Sequence, residues 1–263
     1  MVSYVILLAT CFLACMLGPL CGIGGGVIMK PVIDALQVMS VSAASFLSGV
    51  TVMAMSVYTI ADRARRHVFT VDLGSMAPIA IGAAAGGAAG KAVFAHVIGT
   101  LASPDLVGGA QAAILLALTA LSIAYTLNKA RLPHPGLSGT AARAALGAVS
   151  GAAWSFLGIG GGPFNLVLLV FFLAMPTGAA SQASLLIIAF SQAAGLIQML
   201  AAGTVPTFPP MDLVGMIAMA IAGSIAGMRV SAHMDDAGRD RLYLAALALI
   251  GVICAYNLVR FLG

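Results

Sequence analysis

Long apolar stretches follow one another along the whole chain, and they constrain its fold more than any other feature. Eight of ten such stretches are long enough to cross a bilayer, for which a helix needs about 20 mostly apolar residues. Charged residues make up only 8% of the 263 positions, whereas a soluble domain keeps roughly a quarter of its residues charged. We therefore expect an all-α polytopic membrane protein with about 8 to 10 transmembrane or broken helices. The stretches cover residues 2–21, 25–38, 40–61, 72–98, 106–127, 140–157, 161–175, 178–203, 211–232 and 241–262.

The positive residues predict how the chain is oriented in the membrane. They cluster in three connections, whereas the connections 99–105 and 204–210 contain no Lys or Arg. If all ten stretches cross, or if each short one forms a hairpin with its predecessor, the basic connections share one side. The positive-inside rule makes that side cytoplasmic, so we expect a multi-pass protein of the inner (plasma) membrane with both termini outside. The basic connections contain Arg63, Arg65 and Arg66, then Lys129 and Arg131, then Arg239 and Arg241.

The sequence GIGGG occurs at 22–26 and again at 158–162, each time at the start of a short apolar stretch. Short, glycine-interrupted segments at matching places in two halves are typical of broken or re-entrant helices in transporters. Each motif would free backbone N–H groups at the positive end of a short helix, so two motifs facing one cavity would hold an anion. The alternative is that glycines only allow helices to pack closely. Close packing is our interpretation of Gly82, Gly86, Gly87, Gly90, Gly223 and Gly227.

The two halves of the chain correspond beyond these glycines. Gly22 aligns with Gly158 at an offset of 136 residues, and one residue further on AGGAAGKAVFAHV (85–97) aligns with AGSIAGMRVSAHM (222–234). We interpret this agreement as an internal duplication. With five apolar stretches in each half, the second copy enters the membrane with opposite polarity, and such an inverted repeat brings its two broken helices together near the midplane. The predicted repeats cover residues 1–132 and 139–263.

The paired GIGGG motifs, the small-residue helices and the duplicated apolar chain together resemble the TauE/SafE family of sulfite and organosulfonate transporters. The resemblance covers essentially the whole chain. It implies a secondary transporter that moves a small sulfur-containing anion, of the sulfite, sulfonate or sulfoacetate class, across the cell membrane. Export is the activity usually ascribed to the family, and uptake also occurs. The first motif has the expected proline, Pro31, a few residues after its glycines, whereas the second has Pro163 directly after them and Val167 at the position of Pro31.

Polar side chains follow each glycine motif, and their hydroxyl and amide groups would donate hydrogen bonds to a sulfonate without a fixed charge. In both halves they lie near one face of the helix that follows the broken element. The alternative is hydrogen bonding between helices, which is common for Ser in membranes. The predicted substrate-binding residues are Gly24, Gly25, Gly26, Ser45, Ser48, Gly160, Gly161, Gly162, Asn165, Ser181, Gln182 and Gln192.

Two ionisable residues lie four positions apart in the first short helix. Lys30 would attract the anion, or Asp34 would take up a coupling proton, because ionisable groups inside a membrane are costly and functional hypotheses by default. The alternatives are that the two residues pair with each other, or that Lys30 extends its ammonium group to the membrane interface. Lys91, in the fourth stretch, is expected to be interfacial or paired.

No enzyme is predicted from these residues. The sequence contains no nucleophile motif, no metal-ligand spacing and no phosphate-binding loop of the form GxxxxGKS or GxxxxGKT, so neither a cofactor nor ATP-driven pumping is expected. Two alternatives to a secondary transporter remain, a passive anion channel and a membrane-embedded redox or accessory subunit that uses Cys11 and Cys15. The expected partners are a small anionic substrate and the lipid bilayer, and a homodimer is left open. Nucleic acid is not expected, because the net charge of +4 arises mainly from the basic connections.

Overall fold

Ten α-helices make up most of the described part of the molecule, which in this computed structural model comprises residues 2–100, 104–131 and 135–262. Each helix falls on one of the predicted apolar stretches, and the described residues form no strand, so the all-α prediction is confirmed. A 3-10 turn at Lys129–Arg131 follows the fifth helix. The helices are α1 (Val2–Cys21), α2 (Gly26–Leu36), α3 (Val41–Arg65), α4 (Leu73–Thr100), α5 (Pro104–Asn128), α6 (Thr140–Leu157), α7 (Gly162–Leu173), α8 (Thr177–Ala201), α9 (Pro210–Ser231) and α10 (Asp236–Leu262).

Seven of the described helices are long and apolar enough to cross a membrane, namely α1, α3, α4, α5, α8, α9 and α10. Helix α6 has 18 residues and is long enough, as predicted, but Arg143 and several Gly and Ser residues lower its hydropathy. The helices α2 and α7 have only 11 and 12 residues, fewer than the roughly 20 that a full crossing needs. The chain is therefore a multi-pass membrane protein that also contains short helices.

The basic residues lie mainly at helix ends rather than in the loops where the sequence placed them. Arg63 and Arg65 belong to the last turn of α3, and Arg239 and Arg241 lie near the start of α10, which begins before its predicted boundary. Cations near the C-terminus of a helix such as α3 are stabilised by the helix dipole. Which side of the membrane these residues face, and where the termini lie, stay predictions; residues 1, 101–103, 132–134 and 263 lie outside the described part.

Glycines bring α4 against α6, and α1 against α9, at backbone distance. A Cβ atom added at Gly86 would overlap the carbonyl oxygen of Ala148, and one added at Gly223 would overlap the carbonyl oxygen of Phe12. Only glycine fits at such positions, so the close packing predicted for these residues is confirmed. The same overlap with a backbone carbonyl oxygen occurs at Gly82, Gly87, Gly90 and Gly227.

The packing of the helices is reciprocal between the two halves. The contact of α4 with α6 has its counterpart in that of α9 with α1, and the contact of α3 with α9 in that of α8 with α4. In the same way α2 packs on α10 while α7 packs on α5. A duplicated chain folded around a two-fold axis would produce this correspondence. The opposite orientation of the halves in a membrane, and their boundaries at 1–132 and 139–263, stay predictions.

Candidate functional site

The two GIGGG motifs, residues 22–26 and 158–162, are fully buried and lie against each other. We call their contact the glycine crossing. The helix α2 begins at Gly26 and α7 at Gly162, so each motif is the connection from which a short helix starts. Gly161 precedes α7 with a φ of 78°, in the left-handed region that glycine adopts without strain.

The backbones of the two motifs touch directly at the crossing. A Cβ atom added at Gly162 would overlap the backbone nitrogen of Gly24 and lie 2.7 Å from the Gly24 Cα. A Cβ atom added at Gly26, which corresponds to Gly162 in the repeat, would lie 2.5 Å from the carbonyl oxygen of Ile159. The crossing therefore requires glycine on both sides, and in this conformation it leaves no space for an anion between the two backbones.

Several backbone N–H groups of the crossing have no acceptor. Unpaired buried donors are rare in proteins, and each costs about 1–3 kcal/mol. Inside a bilayer such irregular backbone is tolerated only where it is buried in protein or lines a water-filled cavity. The crossing thus offers hydrogen-bond donors to an incoming anion. Within the two motifs as the structure describes them, the N–H groups for which no hydrogen bond is found are those of Ile23, Gly24, Gly25, Gly26, Gly160, Gly161 and Gly162.

The hydroxyl group of Ser184 joins the two motifs. Its Oγ lies 3.3 Å from the carbonyl oxygen of Gly22 and 3.2 Å from that of Gly162, so it can donate to either. Ser48, which occupies the corresponding position in the first half, is fully buried, and its Oγ has no partner among the described residues. The sequence analysis included Ser48 but not Ser184 among the binding residues, although the repeat offset pairs the two.

Two further serines pack on the motifs in a reciprocal way. A Cβ atom added at Gly22 would lie 2.8 Å from the Cα of Ser181, and one added at Gly158 would lie 3.0 Å from the Cα of Ser45. The predicted serines are therefore next to the predicted glycines, each serine against the motif of the opposite half.

Asn165 and Trp154 hold the second motif in place. The Trp154 Nε1 donates to the Asn165 Oδ1 at 2.6 Å, and a Cβ atom added at Gly161 would overlap the Trp154 ring. Asn165 is fully buried, and its Nδ2 has no partner among the described residues. Trp154 thus shapes the start of α7, and Asn165 keeps one free amide donor there.

The two predicted glutamines lie in different surroundings. Gln182 accepts a hydrogen bond from the backbone N–H of Thr70 at 3.0 Å and donates to its Oγ1 at 3.2 Å. Gln192 is fully buried, donates weakly to the Ser155 Oγ at 3.4 Å, and has no partner for its Oε1 within the described residues. Only Gln192 therefore has an unused polar atom inside the helix packing.

A cavity of about 160 Å³ opens among the helix ends that carry the basic residues. That volume would hold roughly five waters. Ser181 and Gln182 line this basic cavity, whereas the other predicted binding residues do not. Its remaining wall consists of Pro19, Leu20, Cys21, Arg63, Tyr125, Thr126, Lys129, Leu166, Val170, Thr177, Gly178, Ser231, Arg239, Asp240 and Tyr243.

Three cations and one carboxylate line the basic cavity, which makes its wall positive. Arg63 donates from Nη2 to the carbonyl oxygen of Pro19 at 3.1 Å, and the Lys129 Nζ pairs with the Asp240 Oδ2 at 2.7 Å. The third cation is Arg239. Sequence reasoning used these residues only for orientation, because they come from three separate connections and nothing in the sequence joins them.

Lys30 and Asp34 form a buried ion pair. The Lys30 Nζ lies 2.6 Å from the Asp34 Oδ2, and the two residues are 0% and 9% exposed. They belong to α2, which packs on α10, where the Asn257 Nδ2 donates to the carbonyl oxygen of Pro31. Of the alternatives for this pair, mutual pairing is confirmed, and the Lys30 ammonium group is buried rather than extended to the protein surface.

Lys91 is buried inside the protein, whereas the sequence analysis left open either an interfacial or a paired position. It is fully buried, and its Nζ donates to the carbonyl oxygen and the Oγ of Ser45 at 3.2 and 3.0 Å. Lys91 therefore contacts a predicted binding residue. Sequence reasoning missed this contact because a lysine side chain of this length reaches either water or a neighbouring helix.

Comparison with known proteins gives one family. A family model described as "Sulfite exporter TauE/SafE" matches residues 7–254. The matched segment includes both glycine motifs and every predicted binding residue. No curated protein and no solved structure matches the chain.

Proposed function

Because the chain belongs to the sulfite exporter TauE/SafE family, we propose that it moves a small sulfur-containing anion of the sulfite, sulfonate or sulfoacetate class across the cell membrane as a secondary transporter. The family consists of membrane transporters, so the chain is not an enzyme. The observation that carries the choice of site is the glycine crossing, where buried N–H groups at the start of two short helices lack acceptors.

The basic cavity is the proposed entrance for the anion. Its cations, Arg63, Lys129 and Arg239, raise the local concentration of anions near its mouth. Ser181 lines the cavity and packs on Gly22 at the edge of the crossing. Ser181 thus lies between the cavity and the first motif, and its hydroxyl group can donate a hydrogen bond to an anion in the cavity.

The glycine crossing is the proposed gate and binding site. The contact of Gly162 with Gly24 closes the route in this conformation, so the anion passes only when the two motifs separate. On separation the free N–H groups and the helix dipoles replace part of the hydration of the anion. Relative movement of two repeats around a central site is how secondary transporters alternate access.

A closed crossing favours a carrier over a passive channel. A channel conducts through a continuous pathway, whereas a carrier needs one conformational change for each anion that it moves. The crossing is packed at backbone distance, and the basic cavity approaches it only through Ser181, with no residue of either motif in its wall. The channel is therefore the second candidate, and the saturation of flux separates the two.

The proposed function is tested by counterflow of radiolabelled sulfite in liposomes that contain the purified protein. We expect labelled sulfite to accumulate when unlabelled sulfite is present inside, with a rate that saturates with concentration. Competition by sulfoacetate, taurine and sulfate then ranks the substrate classes. Flux that rises linearly with concentration would identify a channel, and flux equal to that of protein-free liposomes would reject the proposal.

A further inference from the structure

The ammonium group of Lys91 is a buried charge without a counter-ion. Its only hydrogen bonds within the described residues go to two oxygen atoms of Ser45. The ion pairs of the described residues join other groups, so no carboxylate neutralises it. Uncompensated charges inside a membrane protein are costly, and they mark ion and substrate pathways.

Glycines on α3 and α8 leave room for the side chain of Lys91, which extends from α4. A Cβ atom added at Gly195 would lie 2.8 Å from the Lys91 Cγ. A Cβ atom added at Gly49 would lie 3.9 Å from the Lys91 Nζ and only 2.7 Å from the Gln192 Oε1. The ammonium group of Lys91 and the unpaired amide oxygen of Gln192 therefore both lie close to Gly49.

Lys91 is next to the second glycine motif through Ser45. The Ser45 oxygen atoms accept from the Lys91 ammonium group, and Ser45 packs on Gly158. The corresponding contact in the other half, Ser181 on Gly22, lies at the basic cavity. A serine thus packs on each motif. The serine on the second motif contacts the Lys91 cation, and the serine on the first motif lines the basic cavity.

Ser181 and Gln192 lie at different heights along α8. Gln192 is eleven residues beyond Ser181 in α8, which corresponds to about 16 Å at the rise of an α-helix. Gln192 is not part of the wall of the basic cavity. The residue that corresponds to Lys91 in the second repeat is Met228, so the second repeat carries no charge at the matching position.

We propose that Lys91, Ser45 and Gln192 form a second anion-binding position, which the substrate occupies after it has crossed from the basic cavity past the glycine crossing. This inference rests on the proposed transport of a sulfur oxyanion. The ammonium group of Lys91 supplies the counter-charge. The Ser45 hydroxyl accepts a hydrogen bond from Lys91 in the closed state, and it donates a hydrogen bond of its own to the anion. The Gln192 Nε2, whose hydrogen bond to the Ser155 Oγ is long at 3.4 Å, adds a second neutral donor.

The test is counterflow of radiolabelled sulfite by Lys91→Met, the side chain that the second repeat carries at this place. Loss of a hydrogen bond to a charged group costs about 10- to 100-fold in affinity, so we expect the rate at low sulfite concentration to fall at least tenfold. The thermal midpoint of the ligand-free variant should stay the same or rise, because an unpaired buried charge is removed. Arg131→Gln removes an exposed positive charge and should leave both values unchanged.

Unchanged counterflow in folded Lys91→Met would overturn the proposal while leaving the transport function intact. Counterflow runs without an ion gradient, so a lysine that only couples a proton would give this same unchanged result. If Lys91→Met does not fold, Ser45→Ala and Gln192→Ala replace it, and unchanged rates in both overturn the proposal. Absence of counterflow in the unmodified protein would overturn the proposed function together with this inference.

Discussion

Replacing Gly162 with alanine should abolish sulfite flux and sharply reduce the stability of the folded protein. The added methyl group would overlap the backbone nitrogen of Gly24 and lie 2.5 Å from the carbonyl carbon of Ile23. These neighbours are backbone atoms, so no flexible side chain can move aside. Inserting a methyl group into a well-packed core costs typically 1–3 kcal/mol, and a rigid backbone contact places this substitution at about 3 kcal/mol or more.

Gly251→Ala is the matched control for this substitution. Gly251 lies within α10, and an added Cβ atom would meet only the Thr119 Cγ2, at 3.7 Å. Alanine is favoured over glycine inside a helix by about 1 kcal/mol, so this variant should be at least as stable as the unmodified protein. Thermal unfolding and sulfite counterflow measure both properties. Equal stability and flux in the two variants would show that the glycine crossing is not packed as described.

Lys30→Met should destabilise the protein by about 3–5 kcal/mol, the range measured when one partner of a buried ion pair is removed. The substitution leaves the Asp34 carboxylate buried without its ammonium partner, which lies 2.6 Å away in the intact pair. The double variant with Asp34→Asn should recover most of the loss, because no unpaired charge is then left in the membrane. Chemical unfolding in detergent measures the free energy of unfolding of the unmodified protein, of Lys30→Met and of the double variant.

The ion pair of Lys129 with Asp240 provides the control for this cycle. Its side chains are 35% and 38% exposed, and pairs in contact with water contribute roughly 0–1 kcal/mol. Lys129→Met should therefore change the unfolding free energy by no more than about 1 kcal/mol. A double variant of Lys30 and Asp34 as unstable as Lys30→Met alone would mean that shape, rather than charge, decides stability at this site.

The helices could be predicted because their signals are local. Each apolar stretch alone identifies a membrane-spanning or buried helix, and each GIGGG motif marks a helix start. The repeat offset also placed Ser45 and Ser181 in equivalent positions, and both pack on glycine motifs. Boundaries were less accurate where charged residues extend a helix, as at the end of α3 and the start of α10.

The remaining features depend on contacts between distant helices. Lys91 is buried because Gly49 and Gly195 on neighbouring helices leave room for its side chain, and no local sequence pattern reports that. Likewise, Arg63 and Arg239 share a cavity although they are far apart in the chain. Local reasoning placed the two arginines in connections and left Lys91 either interfacial or paired, because it could not tell which neighbours each helix would meet.

The central claim is that the free N–H groups of the glycine crossing bind the substrate anion. Selenite tests it most directly, because it has the geometry of sulfite and its selenium atom is located by anomalous diffraction. The account predicts an anomalous peak within hydrogen-bond distance of the backbone nitrogens of Gly24 and Gly25, or of Gly160 and Gly161, with the two motifs moved apart. A peak confined to the basic cavity beside Arg63, with the crossing still closed at saturating selenite, would contradict it.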